Sequence, residues 1–325
     1  MKLFLWTWLA LFLGGLPFRM EAKENFFSRY NYCHITEEAG LPNNSVTAVM
    51  KDSFGYIWIA TQDGLARYDG YRFLNYGTKE PLYRLKGDYV YTLCEDSRKR
   101  LWVGSEAGLD LIDLQTGLPV PETGLGTLPE LSSLFHSFVR SVVQTTDGDI
   151  WVVTDKMLWC LETGRTGRIT ACRQMQAEAD NAVSAVAELE GGLCAGIGNQ
   201  IYWIVKTSGD RLEKQPVSEY ILPFSDDWRI SCFQEDQGCV WIGSNRGLFR
   251  YYRDTKELKR YRYSSHREGM LSQAYITDMK LTSDGHLIVS TFNGLNVYDR
   301  ESDTFTFIRR EEDPDDRGLN SNILV

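Results

Sequence analysis

The fold is decided by residues 52–68, which read Asp52-Ser53-Phe54-Gly55-Tyr56-Ile57-Trp58-Ile59-Ala60-Thr61-Gln62-Asp63-Gly64-Leu65-Ala66-Arg67-Tyr68. Near-copies of this stretch recur along the 325-residue chain at intervals of 43 to 49 residues. The position of Trp58 is taken in successive copies by Trp102, Trp151, Cys194, Trp241 and Ile288. A period of ~40–50 residues made of short strands is typical of a radial array of four-stranded blades. The sequence therefore predicts an all-β protein, a β-propeller of antiparallel blades.

Each copy reads as four strands joined by turns. In the first copy, apolar and alternating runs predict strands a to d at residues 46–50, 56–61, 65–69 and 72–76. The dipeptide Asp69-Gly70 marks a hairpin turn between strands c and d, because both residue types tolerate a positive φ. Strand b is apolar on both faces, as expected of a strand covered by a neighbouring blade on each side.

Three further positions recur for reasons of geometry. A glycine stands three residues before the Trp58 position in five of the six copies, and Lys99 replaces it in the second. This turn residue needs a positive φ, so we expect strain or a different turn at Lys99. The second residue after the Trp58 position is small in most copies, which should let a neighbouring blade approach. The third residue after it carries a hydroxyl group in most copies. In chain order these are Ala60, Gly104, Val153, Gly196, Gly243 and Ser290, then Thr61, Ser105, Thr154, Ile197, Ser244 and Thr291.

Both ends of the repeat array are incomplete. Residues 26–35 alternate aromatic and polar types like a strand d, and residues 318–323 repeat the motif of residues 40–46. We expect the N-terminal strand to complete the last blade, which removes an exposed sheet edge. The sequence thus predicts six full repeats plus an incomplete seventh, a truncated piece of a longer protein.

The first 22 residues show a different pattern. A positive start, a 14-residue apolar run over residues 3–16 and a loose small-residue site at residues 20–22 are typical of a secretory signal peptide. We therefore expect an exported protein, with residues 1–22 as signal peptide and residues 23–325 as one propeller domain. The formal charge of −9 argues against nucleic acid as a partner and disfavours an acidic ligand, although it leaves room for a local basic pocket.

Seven cysteines leave at least one thiol unpaired in an exported chain. Cys94, Cys194, Cys232 and Cys239 fall on predicted strands among apolar neighbours, which favours buried free thiols. Cys160 with Cys172 is the first candidate for a disulfide.

The sequence contains no motif of catalysis or metal binding. Its four histidines show no metal-ligand spacing, and Cys-x-x-Cys, the nucleophile elbow, the phosphate loop and the dinucleotide fingerprint are missing. The sialidase Asp box needs an aspartate two residues before the turn glycine; Asp236 fits, but most copies carry Ser or Thr there. We predict a non-catalytic chain without metal or cofactor, and keep a secreted propeller glycosidase or lyase as the alternative.

The repeats resemble the two-component regulator propeller repeat of Bacteroidetes hybrid sensor histidine kinases. The resemblance lies in residues 40–46, 52–61 and 63–65, is repeated well at residues 236–248, and is weaker at residues 101–109. It implies a periplasmic sensor that detects glycan-derived oligosaccharides and is tethered to the membrane in the parent protein. It further implies a second propeller and an immunoglobulin-like module as neighbours, and a homodimer. These 325 residues contain none of the kinase parts, so the resemblance implies a signal-input role for them.

Candidate ligand residues lie in the b–c loops and in the linkers from strand d to the next strand a. In antiparallel blades both emerge on one face, and variable loops on a rigid ring usually carry specificity. The stacking ring of Trp228 between two charged neighbours suits a sugar, although packing between blades is an alternative role. A pure protein-interaction scaffold is the third functional alternative. The candidates are Gln62, Asp63, Asp227, Trp228, Arg229, Asn245, Arg246, Tyr275 and Asn293.

Overall fold

A computed structural model describes residue 27 and residues 34–176, 182–217, 228–264, 267 and 269–309. The chain divides into two compact units, Met1–Asn31 and Tyr32–Val325, of which the second contains all the blades. The predicted signal peptide, nearly all of the predicted closing strand and the start of a seventh repeat lie outside the described residues. His34 and Ile35, the described end of that closing strand, are not in strand conformation.

Six four-stranded antiparallel sheets form the described fold, which confirms the predicted all-β propeller and its six full blades. Each sheet follows the order a-b-c-d, with consecutive strands paired. The blades are, in order: β1 Val46–Lys51, β2 Ile57–Thr61, β3 Gly64–Tyr68, β4 Phe73–Tyr76; β5 Val90–Glu95, β6 Arg100–Ser105, β7 Leu109–Asp113, β8 Leu118–Pro119; β9 Val139–Gln144, β10 Ile150–Thr154, β11 Met157–Thr163, β12 Ile169–Gln176; β13 Val183–Leu189, β14 Gly192–Ile197, β15 Gln200–Lys206, β16 Leu212–Pro216; β17 Ile230–Asp236, β18 Cys239–Ser244, β19 Gly247–Tyr252, β20 Glu257–Tyr261; β21 Ile276–Leu281, β22 Leu287–Thr291, β23 Gly294–Asp299, β24 Thr304–Ile308.

Strand a is the inner strand of each blade, since it contacts strand a of the next blade from β1 through β5, β9, β13 and β17 to β21. Every strand a carries a register irregularity near its start, which the sequence did not reveal. A second element missed from the sequence is helix α1, Glu130–Phe135, in the linker between the second and third blades. The linkers between blades therefore differ in structure, whereas the blades share one strand order.

The hydrophobic core is divided into clusters between adjacent blades. One cluster joins the fifth and sixth blades through Trp241, Leu248 and Leu287, all fully buried. The tryptophans at the repeated position are 0 to 2 % exposed, and their flanking residues are buried in most blades. The two apolar faces predicted for strand b are therefore those that pack against the neighbouring blades.

In three of the four blades that carry the repeated tryptophan, a buried carboxylate in the a–b turn accepts the indole N–H; in the third blade the acceptor for Trp151 is the hydroxyl of Thr145. Trp58 Nε1 donates to Asp52 Oδ2 at 2.7 Å, and Trp102 Nε1 donates to Asp96 Oδ2 at 3.0 Å. Asp52 Oδ1 also accepts the backbone N–H groups of Phe54 and Tyr56 at 2.9 Å, which closes the turn. In the fourth blade, where a cysteine replaces the tryptophan, a leucine stands at the end of strand a in place of the aspartate. A buried carboxylate without its donor is costly, which explains why the aspartate is missing where the tryptophan is missing.

The repeated hydroxyl residue fastens the b–c loop. Thr61 Oγ1 donates to the carbonyl of Gly64 at 2.8 Å and accepts the backbone N–H of Asp63 at 3.2 Å. In the fifth blade, Ser244 Oγ donates to the carbonyl of Gly247 at 2.8 Å and accepts the backbone N–H of Arg246 at 3.2 Å. These hydroxyls are buried, so their recurrence reflects loop structure rather than ligand binding.

Two glycine-related predictions are confirmed. A Cβ on Gly104 would lie 2.5 Å from Cγ1 of Val139 in the next blade, which explains why this position is small. Lys99 takes the positive φ of the glycines it replaces, 62°, so the turn is kept at the cost of backbone strain.

The proposed disulfide between Cys160 and Cys172 is wrong. Six described cysteines are free thiols, and Cys33 lies outside the described residues. In the β11–β12 register Cys172 faces Leu161, so Cys160 belongs to the cluster with the fourth blade and Cys172 to the cluster with the second. Burial raises the pKa of both Cys94 and Cys172 to about 11, which makes them unreactive structural thiols.

Candidate functional site

A groove of about 590 Å³ opens between the fifth and sixth blades, on the face that carries the b–c loops and d–a linkers. We call this face the loop face. The groove volume lies within the ~300–1,000 Å³ range of small-ligand pockets. Its lining is aromatic, amide and cationic: Trp228, Asn245, Arg246, Arg260, Tyr263, Gln273, Ala274, Tyr275 and Phe292.

The sixth blade supplies an aromatic platform. The rings of Tyr275 and Phe292 stack at a centroid distance of 4.1 Å, with an interplanar angle of 8°. They remain 39 % and 38 % exposed, although aromatic side chains of this size are usually buried more deeply. An exposed pair of stacked rings offers a flat apolar surface on which the face of a sugar ring can lie.

The fifth blade supplies the opposite wall, where a cation lies over a tryptophan. The Arg260 guanidinium carbon is 5.1 Å from the ring centroid of Trp228, and Arg260 Nη2 donates to the carbonyl of Arg246 at 3.0 Å. Trp228 in turn packs on the buried ring of Phe249, with centroids 5.8 Å apart. The arginine is thereby held by stacking and by one hydrogen bond.

Backbone-directed hydrogen bonds position both walls. Asn245 Oδ1 accepts the backbone N–H of Arg229 at 2.9 Å, and the backbone N–H of Asn245 donates to the Arg229 carbonyl at 3.0 Å. On the other wall, Asn296 is fully buried and its Oδ1 accepts the backbone N–H of Ser272 at 2.8 Å. Since Ser272 directly precedes the linker segment that contains Tyr275, a buried amide fixes the linker that presents this ring.

Four of the predicted site residues meet in this groove. Trp228, Asn245, Arg246 and Tyr275 all line it. Trp228 lines the groove and also packs against the core cluster of the fourth and fifth blades, so the packing role weighed for it is confirmed and the sugar-binding role stays a prediction. The remaining candidates on these two blades are placed as follows: Arg229 and Asn293 flank the groove in sequence without lining it, and Asp227 lies outside the described residues.

Gln62 and Asp63 lie elsewhere on the loop face, on the first blade. Gln62 Nε2 donates to the hydroxyl of Tyr89 at 3.1 Å. Tyr89 stacks on Tyr91 with centroids 4.3 Å apart, and Tyr91 meets Phe138 at 4.8 Å. Burial, reinforced by the neighbouring Tyr89, raises the pKa of Tyr91. The structure therefore divides the predicted set between two places, and the groove gathers four of its members.

Sequence patterns did not single out Arg260, Tyr263 and Phe292 as groove residues. Arg260 lies on strand β20, an element that belongs to the repeating scaffold. Phe292 directly precedes Asn293 in a b–c loop, where an exposed aromatic residue was the available signal.

The described part of the chain offers neither a metal site nor a membrane span. No group of His, Cys, Asp and Glu side chains among the described residues could hold a metal ion. None of the helices in this part of the chain is both long and apolar enough to cross a membrane.

Comparison with known proteins supports the repeat assignment. The family described as two component regulator propeller matches residues 40–63 and 84–107. Among curated proteins, none matches the chain.

Solved structures share the fold. The extracellular domain of a putative hybrid two component system from B. thetaiotaomicron is similar over 90 % of this chain and 38 % of its own, with 22 % identity and a TM-score of 0.67. The extracellular domain of a putative one component system from the same organism is similar over 86 % of this chain and 35 % of its own, with 21 % identity and a TM-score of 0.65. PorZ, a surface component of the type-IX secretion system of Porphyromonas gingivalis, matches 77 % of this chain and 38 % of its own, at 14 % identity and a TM-score of 0.56.

The chain spans little more than a third of the length of these structures. At such identities the likeness establishes the fold, while the repeat match adds a family signature at two blades. Residues 40–63 and 84–107 match the two-component regulator propeller repeat, and the chain shares the propeller fold of these extracellular domains.

Proposed function

We propose that this propeller is a non-catalytic, exported sensor module that recognises an oligosaccharide in the groove between its fifth and sixth blades. The observation that carries the proposal is the exposed Tyr275–Phe292 platform facing a wall of arginine and amide side chains. Flat aromatic rings suit the apolar face of a sugar, and the polar side chains suit its hydroxyl groups.

The proposal extends to the parent protein. The shared fold with extracellular domains of two component systems supports a periplasmic signal-input role. A second propeller, an immunoglobulin-like module, a homodimer and a membrane-tethered histidine kinase belong to the proposal on the strength of the sequence resemblance.

Recognition is favoured over hydrolysis by the chemistry of the lining. Glycosidases normally use a pair of carboxylic acids on either side of the scissile bond. The groove-lining residues that the structure describes include no Asp or Glu.

A glycan array probed with purified protein tests the proposal. We expect the wild type to bind a restricted set of oligosaccharides, and Tyr275→Ala to weaken binding at least about tenfold, or ~1.4 kcal/mol. Tyr71→Ala is the matched control, since Tyr71 is 93 % exposed in a c–d turn on the opposite face. Equal loss in both variants, or no glycan bound by the wild type, would contradict the proposal.

A further inference from the structure

We propose that the groove selects an acidic oligosaccharide, one whose sugar rings carry carboxylate or sulfate groups. This inference rests on the proposed function and names the ligand class of the same groove. It depends on where the groove places its charges.

The groove is cationic along its fifth-blade wall. Arg246 and Arg260 both line it and both are exposed, and the lining residues that the structure describes include no Asp or Glu. Such a concentration is unexpected in a chain with 44 acidic and 35 basic residues, whose net charge of −9 repels anions at long range. A local basic pocket is the condition under which such a chain can bind an acidic ligand.

Two other cationic side chains of the propeller form ion pairs, which Arg260 does not form with the described residues. Lys86 is also on the loop face, and its Nζ lies 3.1 Å from both Asp110 and Glu122. Arg300, in a c–d turn, pairs with the buried Asp236 at 2.7 Å. Arg260, in contrast, has no ion pair with any acidic residue that the structure describes. Its contacts are two aromatic side chains and one backbone carbonyl.

The geometry of Arg260 suits an anion. Its guanidinium is stacked on Trp228 at 5.1 Å and on Phe249 at 5.6 Å, which orders the side chain before any ligand arrives. A guanidinium has five N–H groups in a planar fork that matches carboxylate and sulfate oxygens. Only one of these groups donates within the described structure, to the carbonyl of Arg246.

The two walls of the groove would contact different parts of the ligand. The aromatic pair Tyr275–Phe292 comes from the sixth blade, and both arginines come from the fifth. A sugar ring stacked on the sixth-blade platform would direct an acidic substituent towards the arginine wall. Asp226 and Asp227 precede Trp228 in the sequence and lie outside the described residues, so the experiment must measure the net charge preference directly.

The glycan array first ranks neutral, uronate-containing and sulfated oligosaccharides for the wild type. We expect the best ligands to be acidic. If neutral oligosaccharides bind best, the proposed sensor function stands and the charge inference is overturned. If no glycan binds, both are overturned.

Calorimetry then compares the best acidic ligand with its neutral form, the methyl ester of a uronate or the desulfated sugar. We expect the acidic form to bind at least about tenfold more tightly at ~50 mM NaCl and to lose most of that preference at ~500 mM, because salt screens exposed charges. Arg260→Gln should bring the ratio of the affinity for the acidic form to the affinity for the neutral form to within about twofold of one. Arg72→Gln is the control, an exposed arginine in a c–d turn. A preference that survives in Arg260→Gln would overturn the inference.

Discussion

The fifth blade contains two tryptophans in contrasting settings. Trp241, in strand β18, is fully buried and donates its indole N–H to Asp236 at 3.1 Å. Trp228, in the linker before β17, is only partly buried and lines the groove under the Arg260 guanidinium. The first stands at a position that carries tryptophan in four blades; the second has no tryptophan counterpart in any other repeat.

The difference separates a residue of the repeating scaffold from a residue of the proposed binding groove within one blade. Each blade must turn, pair and pack against its neighbours in the same way, so residues that serve this purpose recur with the period of the repeat. A ligand contacts the propeller at particular loops, so the residues that bind it need not recur in every blade. Trp241 is thus conspicuous and structural, whereas Trp228 departs from the repeat.

The largest expected effect is on the buried tryptophan. Trp241→Ala should lower the free energy of unfolding by about 3–5 kcal/mol, because it opens a cavity between the fifth and sixth blades. Urea denaturation followed by circular dichroism measures this. A loss below about 0.5 kcal/mol, as on a surface, would refute the blade alignment.

The first blade offers a comparison within the repeat itself. Ile57 is 36 % exposed, whereas Leu101, at the equivalent position of the second blade, is fully buried. Leu101 packs against Trp58 of the preceding blade in one cluster, and Ile57 belongs to no described core cluster. The same repeat position is therefore buried only where another blade covers it.

Truncating the two equivalent residues should give unequal losses. Leu101→Ala should cost about 2–5 kcal/mol and Ile57→Ala less than about 1 kcal/mol, since only the first leaves an interblade cavity. The measurement is the midpoint of urea unfolding at constant m-value. Equal losses would mean that Ile57 is covered in solution.

The turn carboxylate should have a smaller, graded effect. Asp52→Ala strips the indole of Trp58 and two backbone N–H groups of their acceptor and should cost about 1–3 kcal/mol. Asp52→Asn keeps one acceptor oxygen and should cost less. Thermal unfolding of both variants checks the order, and equal stability of Asp52→Ala and wild type would contradict the role assigned to the carboxylate.

The smallest effect on stability is expected at the platform. Tyr275→Ala should change the free energy of unfolding by less than about 1 kcal/mol, because the ring is exposed and contributes one stacking contact. Phe249→Ala, at a fully buried ring beneath Trp228, is the matched control and should cost about 3–5 kcal/mol. A large loss in Tyr275→Ala would make the platform part of the core.

Much of the fold could be predicted because packing repeats with the blades. The spacing of Trp58 and Trp102 predicted the blades, and the strands of the first blade were placed to within one residue. The indole–carboxylate pair was missed because Asp52 looks like an ordinary turn residue until its distance from Trp58 is known. The Cys160–Cys172 pairing failed because proximity in sequence does not say which face of a strand a residue occupies.

The groove could be predicted only in part. Loop position was enough to select Trp228, Arg246 and Tyr275, but not to separate them from Gln62 on the first blade. That separation depends on the order of the blades around the ring and on linker conformation. Arg260 was missed because its role comes from stacking on a linker residue 32 positions away.

The most direct test is a crystal structure of this chain with the oligosaccharide that ranks highest on the array. We predict a sugar ring stacked on Tyr275 and Phe292, with an acidic substituent within hydrogen-bond distance of Arg260. A sugar bound over the ring cluster of Tyr89 and Tyr91, or on the face of the c–d turns, would contradict this assignment.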